Sequence, residues 1–230
     1  NSVKQVDTKI NELQQKGKKI DTLIITFHGM QKRRIVNKGD DYYRHCYETF
    51  CLITNNLKNI NVEKFKSLRA VFKKDGTVTA GNASTINDGA AAIVLMSEDK
   101  ANEMKIKPIA SILAYADTSQ EPKWFTTSPT SALEKALKKA NIKKESVDFW
   151  ELNEAFSVVG IANIRKLNID NTKVNVNGGA VSLGHPLGCS GARILVTLTN
   201  ILKQRNGTIG AAGICNGGGG ASAIIIQNLC

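Results

Sequence analysis

Apolar and polar positions fall into a readable pattern only from about residue 66 onward. Earlier, Lys4–Lys19 is polar with weak helical spacing, Leu23-Ile24-Ile25 is a candidate short strand, and Lys32-Arg33-Arg34 reads as an exposed basic turn. From Ser67 the pattern predicts a helix end at Phe72 and a turn at Asp75-Gly76. A Thr/Val strand, a Gly-Asn-Ala-Ser loop and a buried strand from the apolar run Ala90–Met96 follow. Ser97 reads as the cap of a helix through Met104, and Pro108 as a break. Strand and helix then alternate, which predicts an α/β fold. Residues 109–116 form a strand, and Ser128-Pro129 opens a helix with a buried stripe of Ala132, Leu133, Ala136, Leu137 and Ala140. A strand at 147–151 leads through Leu152-Asn153 into a helix ending near Lys166, and Val174–Val176 is a further strand. A helix at 191–204, with Leu195, Leu198 and Leu202 on one face, precedes a hairpin of strands 208–214 and 221–226.

Bulk properties narrow this picture. The 230 residues can hold one large or two modest domains, and 42% hydrophobic content suits a globular chain. The longest apolar run, Ala90–Met96, is too short to span a bilayer, so no membrane span is expected. The chain opens on Asn1 without a methionine, which fits a processed or partial sequence with a targeting segment removed. Five cysteines, at 46, 51, 189, 215 and 230, form no C-x-x-C pair and no metal-ligand spacing, which points to a reducing compartment and no metal site. Cys46 and Cys51 sit among bulky neighbours and read as packing residues. The net charge is +11, and residues 1–80 carry 16 Lys or Arg against 8 Asp or Glu. That surface suits an anionic partner, but no aromatic interleaving or nucleic-acid motif accompanies it, so no nucleic acid is expected.

The chemistry concentrates where small residues do. In NGGAVSLGHPLGCSGAR at 177–193, His185 stands between Gly184 and Pro186 on a predicted turn between strand and helix, a common way to expose a catalytic group. The alternative is a tight turn whose histidine satisfies a backbone group. Cys215 leads the turn CNGGGG, where unencumbered N–H groups beside a thiol could bind an oxyanion; otherwise the glycines simply turn the hairpin. Ser84 could lie against a flat ligand or bond its own backbone. Asn153 is either functional or an N-cap, and Ser190 reads as the cap of the following helix.

Taken in order, TAGNASTINDGAAA at 79–92, Asn153-Glu154-Ala155-Phe156, Gly184-His185-Pro186 and Cys215-Asn216-Gly217 resemble the thiolase family, over about residues 66–230. The likeness is to its acetoacetyl-CoA-forming branch. It implies a thiolase-type mixed β-sheet covered by helices, with an α/loop-rich insertion domain. It also implies acyl transfer between CoA thioesters, most simply condensation of two acetyl-CoA to acetoacetyl-CoA or the reverse thiolysis. Coenzyme A would be substrate and product, with no prosthetic group. By the same resemblance Cys215 would be the acid/base at the α-carbon, and His185 would activate the nucleophilic cysteine and help hold the thioester oxygen. Asn153 would orient a water completing that oxyanion hole, and the Gly217 N–H would serve a second hole. Ser84, with Phe72, Ala80, Ala155 and Phe156, would line the pantetheine channel. A homodimer or homotetramer is implied, in the cytoplasm or in an organelle such as the mitochondrion.

No cysteine here matches the family's acyl-carrying nucleophile: Cys189 stands where the family commonly has alanine, and Cys230 is terminal. The expectation is therefore a loop-domain portion at 1–86, a strand and helix of an N-terminal domain at 87–107, and the C-terminal domain at 108–230. The nucleophile would lie outside the chain, which alone would be inactive. Residues 90–96 are then expected to expose an apolar edge unless another piece covers them. A 3-ketoacyl-CoA thiolase of fatty-acid breakdown shares all four motifs. A β-ketoacyl synthase typically has histidine or asparagine where Cys215 stands. A non-catalytic CoA- or lipid-binding relative is the alternative of another class.

Overall fold

Residues 110–228 build a mixed sheet of four strands, β3 (Ala110–Ser119), β6 (Gly220–Asn228), β5 (Ile209–Gly217) and β4 (Phe149–Leu152), in that spatial order. The β3/β6 and β6/β5 pairs are antiparallel and β5/β4 is parallel. The computed structural model describes the backbone of residues 24–27 and residues 62–230. The readings of Lys4–Lys19, Lys32–Arg34, Cys46 and Cys51, and most of the proposed loop-domain portion, lie outside the described residues. Ahead of the sheet come β1 (Ile24–Phe27), α1 (Val62–Lys66), β2 (Asp88–Ala91) and α2 (Glu98–Glu103). The other helices are α3 (Ser128–Ala140), α4 (Ser157–Leu167), α5 (Ala180–Leu183) and α6 (Ser190–Gln204).

The period-2 alternation of the strands divides the core between two helical layers. Trp150, Leu152, Ala211, Ala223 and Ile225 point to one face, where Ala132, Leu133, Ala136 and Leu137 of α3 cover them with Leu167 of α4. Ala212 and Ile226 point to the other, against Ile194, Leu198 and Leu202 of α6. Burying each such leucine contributes about 1.5–3 kcal/mol. Small residues on β5 let both layers close: a Cβ at Gly210 would stand 2.9 Å from Leu198, and one at Gly213 3.0 Å from Leu133. Both α3 and α4 stop at an asparagine in left-handed conformation, Asn141 and Asn168, where Cβ strain is tolerated better than by most residues.

Several expected elements are confirmed, others redrawn. The α3 stripe, the Ser97 cap and the hairpin are present, and the short strand expected at 23–25 runs instead from Ile24 to Phe27. The strand expected at 90–96 stops short, since β2 ends at Ala91 after pairing with β1; Val94 and Leu95 beyond it are 83% and 71% exposed, in line with the expected uncovered apolar edge. Nor do residues 174–176 form a regular strand. Val174 makes a single parallel bridge to Trp150, and Asn175 turns left-handed at φ 48°. Its side chain takes the strand's place: Oδ1 accepts from the Leu152 N–H and Nδ2 donates to the Leu152 carbonyl, both at 2.8 Å. The helix expected to follow Asn153 directly starts four residues later, at Ser157, with Phe156 as its N-cap. Asn153 is thereby released from capping.

Candidate active site

The parallel β4/β5 pair brings two functional segments to one end of the sheet. The loop after β4 carries Asn153, whose backbone N–H donates to the Gly213 carbonyl at 3.0 Å, two residues before Cys215. Beyond Cys215 the ladder slips by one residue and the hairpin turns through Gly217, Gly218 and Gly219, at φ 70°, 57° and 98°. Those values favour residues without a Cβ. The turn is held from below, since Ser128 Oγ donates to the Gly219 carbonyl at 2.7 Å and the Gln120 N–H to the same oxygen at 3.1 Å. Pro129 does occupy the first turn of α3, yet Ser128 anchors the glycine turn instead of capping.

His185 arrives on the loop between α5 and α6. Gly184 before it has φ 97°, and a Cβ there would run into the Asn87 side chain. The His185 N–H donates to the Thr85 carbonyl at 2.8 Å, pinning the histidine to the small-residue loop at 79–87. Its imidazole is gripped at both nitrogens. Nδ1 lies 2.6 Å from Ser190 Oγ, and Asn153 Nδ2 lies 3.4 Å from Nε2. Ser190 spends its own proton on the Pro186 carbonyl at 3.1 Å. With that proton so placed, Nδ1 donates to Ser190, and Nε2 keeps the lone pair that accepts from the Asn153 amide in the resting site and can act as a base once that long contact gives way. Burial first, and the Arg193 charge second, hold the imidazole below its ordinary pKa, so it is neutral at pH 7. Ser190 is thus a site residue that sequence reasoning took for a helix cap.

The 79–87 loop also docks on the segment after β4. Ser84 donates from Oγ to the Ala155 carbonyl at 2.8 Å, and its N–H bonds the same oxygen at 3.0 Å. Ala83 bridges Phe156, and the Phe72 and Phe156 rings meet edge to face at 5.3 Å. Ser84, Phe72, Ala155 and Phe156 therefore gather beside Asn153 and His185. Ala80 stays in an exposed turn at the foot of the loop. Cys215 is half-buried at the end of β5, and burial pushes its thiol above the usual range. A separate open groove of about 370 Å³ separates β2 from the loop 186–189 and the first turn of α6, with Asn87, Pro186, Leu187 and the buried Cys189 in its walls.

Glu154 and Arg193 stand inside the quoted motif stretches, but the sequence assigns no role to them or to Glu151. Glu154 Oε1 accepts from Asn175 Nδ2 at 2.7 Å and Oε2 from the Val181 N–H at 3.3 Å, and a Cβ at Gly179 would collide with its carboxylate. Glu151 is fully buried, and Arg193 Nη1 donates to its Oε2 at 3.4 Å. Among the described residues no three His, Cys, Asp or Glu side chains gather as metal ligands.

A family profile described as "Thiolase, C-terminal domain" matches residues 106–228, and one described as "Thiolase, N-terminal domain" matches 49–99. The chain is similar to a cytosolic acetyl-CoA acetyltransferase of Gibberella zeae, at 56% identity over 175 residues, 76% of this chain and 44% of that protein. It is also similar to the mitochondrial acetyl-CoA acetyltransferase of Bos taurus, at 50% over 214 residues, 93% of this chain and 46% of that protein. Among solved structures, human mitochondrial 3-ketoacyl-CoA thiolase in complex with CoA superposes with a TM-score of 0.72 at 43% identity, covering 74% of this chain and 43% of that one. The chain spans about half the length of the curated relatives it matches.

Proposed function

Since the chain belongs to the thiolase family, we propose that this protein transfers acyl groups between CoA thioesters, condensing two acetyl-CoA to acetoacetyl-CoA and free CoA or catalysing the reverse thiolysis. One observation carries the reading: a neutral His185, held at Nδ1 by Ser190 and at Nε2 by the long Asn153 contact, stands at the sheet end where Cys215 emerges among glycines. His185 Nε2 takes the proton of an acyl-carrying thiol, which attacks the thioester carbonyl and expels CoA thiolate; the Cys215 thiol gives its proton to that thiolate, releasing CoA and leaving Cys215 ionised. The Cys215 thiolate then removes an α-proton from the second acetyl-CoA. The resulting enolate attacks the acyl-cysteine carbonyl, and the cysteine thiolate leaves, regaining its proton from His185. The Gly217 N–H and Asn153 would face the developing oxyanions, where preorganised donors stabilise charge most. Burial of Cys215 suits this role, because a thiol of raised pKa gives a stronger base once ionised. Ser84, Phe72, Ala155 and Phe156 would border the pantetheine arm of CoA, with Ala80 at its outer end. The acyl-carrying thiol is assigned outside these 230 residues.

A homodimer or homotetramer in a reducing compartment, the cytoplasm first, completes the reading; the relatives' names include both cytosolic and mitochondrial proteins. The likeness to a 3-ketoacyl-CoA thiolase supports a second substrate range. The test is mass spectrometry of the full gene product after incubation with acetyl-CoA, with turnover of acetoacetyl-CoA and of a long-chain 3-ketoacyl-CoA measured alongside. A stable acetyl adduct on a cysteine and preferred cleavage of acetoacetyl-CoA are expected. Preference for the long chain transfers the assignment to the second range, and no adduct with no turnover overturns both.

A further inference from the structure

Below the imidazole lies a buried pair that acyl transfer does not itself use. Glu151 and Asn153 are two residues apart on and just beyond β4, so they face the same side of the sheet, towards α6. Ser190 and Arg193 are three residues apart on α6, so they share one face of the helix. Arg193 reaches Glu151, Asn153 reaches Nε2 of His185, and Ser190 reaches Nδ1. These contacts close a ring through strand, imidazole and helix. We propose that Glu151 and Arg193 are positioning residues for His185: their contact locks α6 on β4 in the register that brings Ser190 and Asn153 to the two imidazole nitrogens, and it sets a cation beneath the ring.

Two features favour this over a merely structural ion pair. The pair is poorly satisfied for its depth: Glu151 Oε1, Arg193 Nε and Arg193 Nη2 are buried without hydrogen-bond partners, as is Asn153 Oδ1 beside them. A buried pair with imperfect geometry is a weak source of stability, and apolar packing there would serve the fold as well. What apolar side chains would not supply is the charge. The titratable groups on the elements around His185 are Arg193 from α6 and Cys189 just before it, Glu151 and Glu154 from β4 and its loop, Cys215 from β5 and Asp88 from β2. Of these, Arg193 is the one whose charge acts on the imidazole, lowering its pKa beyond what burial does. Burial pushes the Glu151 carboxyl up to about 8, so over the histidine's titration range the cation stands largely unneutralised.

The inference rests on His185 being the site's base, but its readout is a titration that needs no acyl transfer. The imidazole 15N shifts of the full chain, followed against pH by solid-state NMR if the sample self-associates, report tautomer and midpoint together. His28 and His45 serve as internal comparisons. In the wild type, His185 is expected as the Nδ1–H tautomer with a midpoint below the ordinary 6.5. Arg193→Met is expected to raise the midpoint towards the ordinary value and to mix the tautomers. Arg193→Lys, which keeps the charge, should hold the midpoint near the wild-type value. A folded Arg193→Met chain with the wild-type midpoint and tautomer overturns the proposal. Should that variant not fold, the wild type decides: a midpoint at or above 6.5, or a dominant Nε2–H tautomer, overturns it equally.

Discussion

At the residue scale the site depends on side chains freed from local duties. Asn153 and Ser190 both occupy positions where sequence alone predicts helix caps, and both are claimed by the imidazole instead. Local rules favour a cap because its partner is three residues away; the competing partner lies 32 residues away for Asn153, where no local pattern reports it. His185 and Cys215 were legible for a different reason, since each stands in a glycine-dense stretch that packing alone would not require. The roles proposed for them separate in one experiment on the complete enzyme. Cys215→Ser is expected to abolish exchange of the acetyl α-proton with solvent, a loss of at least about 100-fold for removing a positioned base. Acylation by acetyl-CoA, measured by mass spectrometry, should continue. Persisting exchange would remove Cys215 from the mechanism.

At the scale of elements, β4 is held by contacts that do not belong to a sheet. Its outer edge is completed by one side chain, Asn175, which bonds both backbone groups of Leu152 and a Glu154 oxygen while its own backbone is left-handed. Asn175→Ala loses these bonds and strains the backbone, and should destabilise the chain by about 2–4 kcal/mol in denaturant melts. Asn175→Gly loses the same bonds without the strain and should recover about 1 kcal/mol of that; equal losses would mean the left-handed conformation costs nothing here. The strand expected at 174–176 failed for this reason: the alternation of Val174 and Val176 is real, but an asparagine side chain substitutes for the ladder. The Glu151–Arg193 contact between β4 and α6 gives a pH-dependent effect. The carboxyl's pKa is about 8 in the folded chain against an ordinary 4.5. Between those values the folded state keeps a proton that the unfolded state releases, so stability falls as pH rises through the window, by up to about 1.4 kcal/mol per unit. Glu151→Gln removes that dependence. Urea melts at pH 5 and pH 8.5 should show a flatter slope for the variant, and identical slopes would show that Glu151 is ionised throughout.

For the whole molecule, the two-layered cover of the sheet was legible because α3, α6 and the hairpin strands each carry one apolar face at the right period. The segment before it was legible only in part. A contiguous apolar run at 90–96 announces surface that must be covered, but the run does not say by which element. It reads as a buried strand and is in fact exposed past Ala91, with Ile86 and Leu187 also open at 85% and 67%. These side chains lie along one stretch and the loop beside it, where Leu187 shares a groove with Gly89 and Ala91. Contiguous exposed apolar surface of this kind favours association. Sedimentation velocity of the 230-residue chain is accordingly expected to show species larger than the monomer. Replacing Val94 and Leu95 by aspartate touches no residue of the candidate site and should shift the distribution towards monomer, with helix content by circular dichroism unchanged. A wild-type chain that sediments as a single stable monomer would mean the patch is covered in solution.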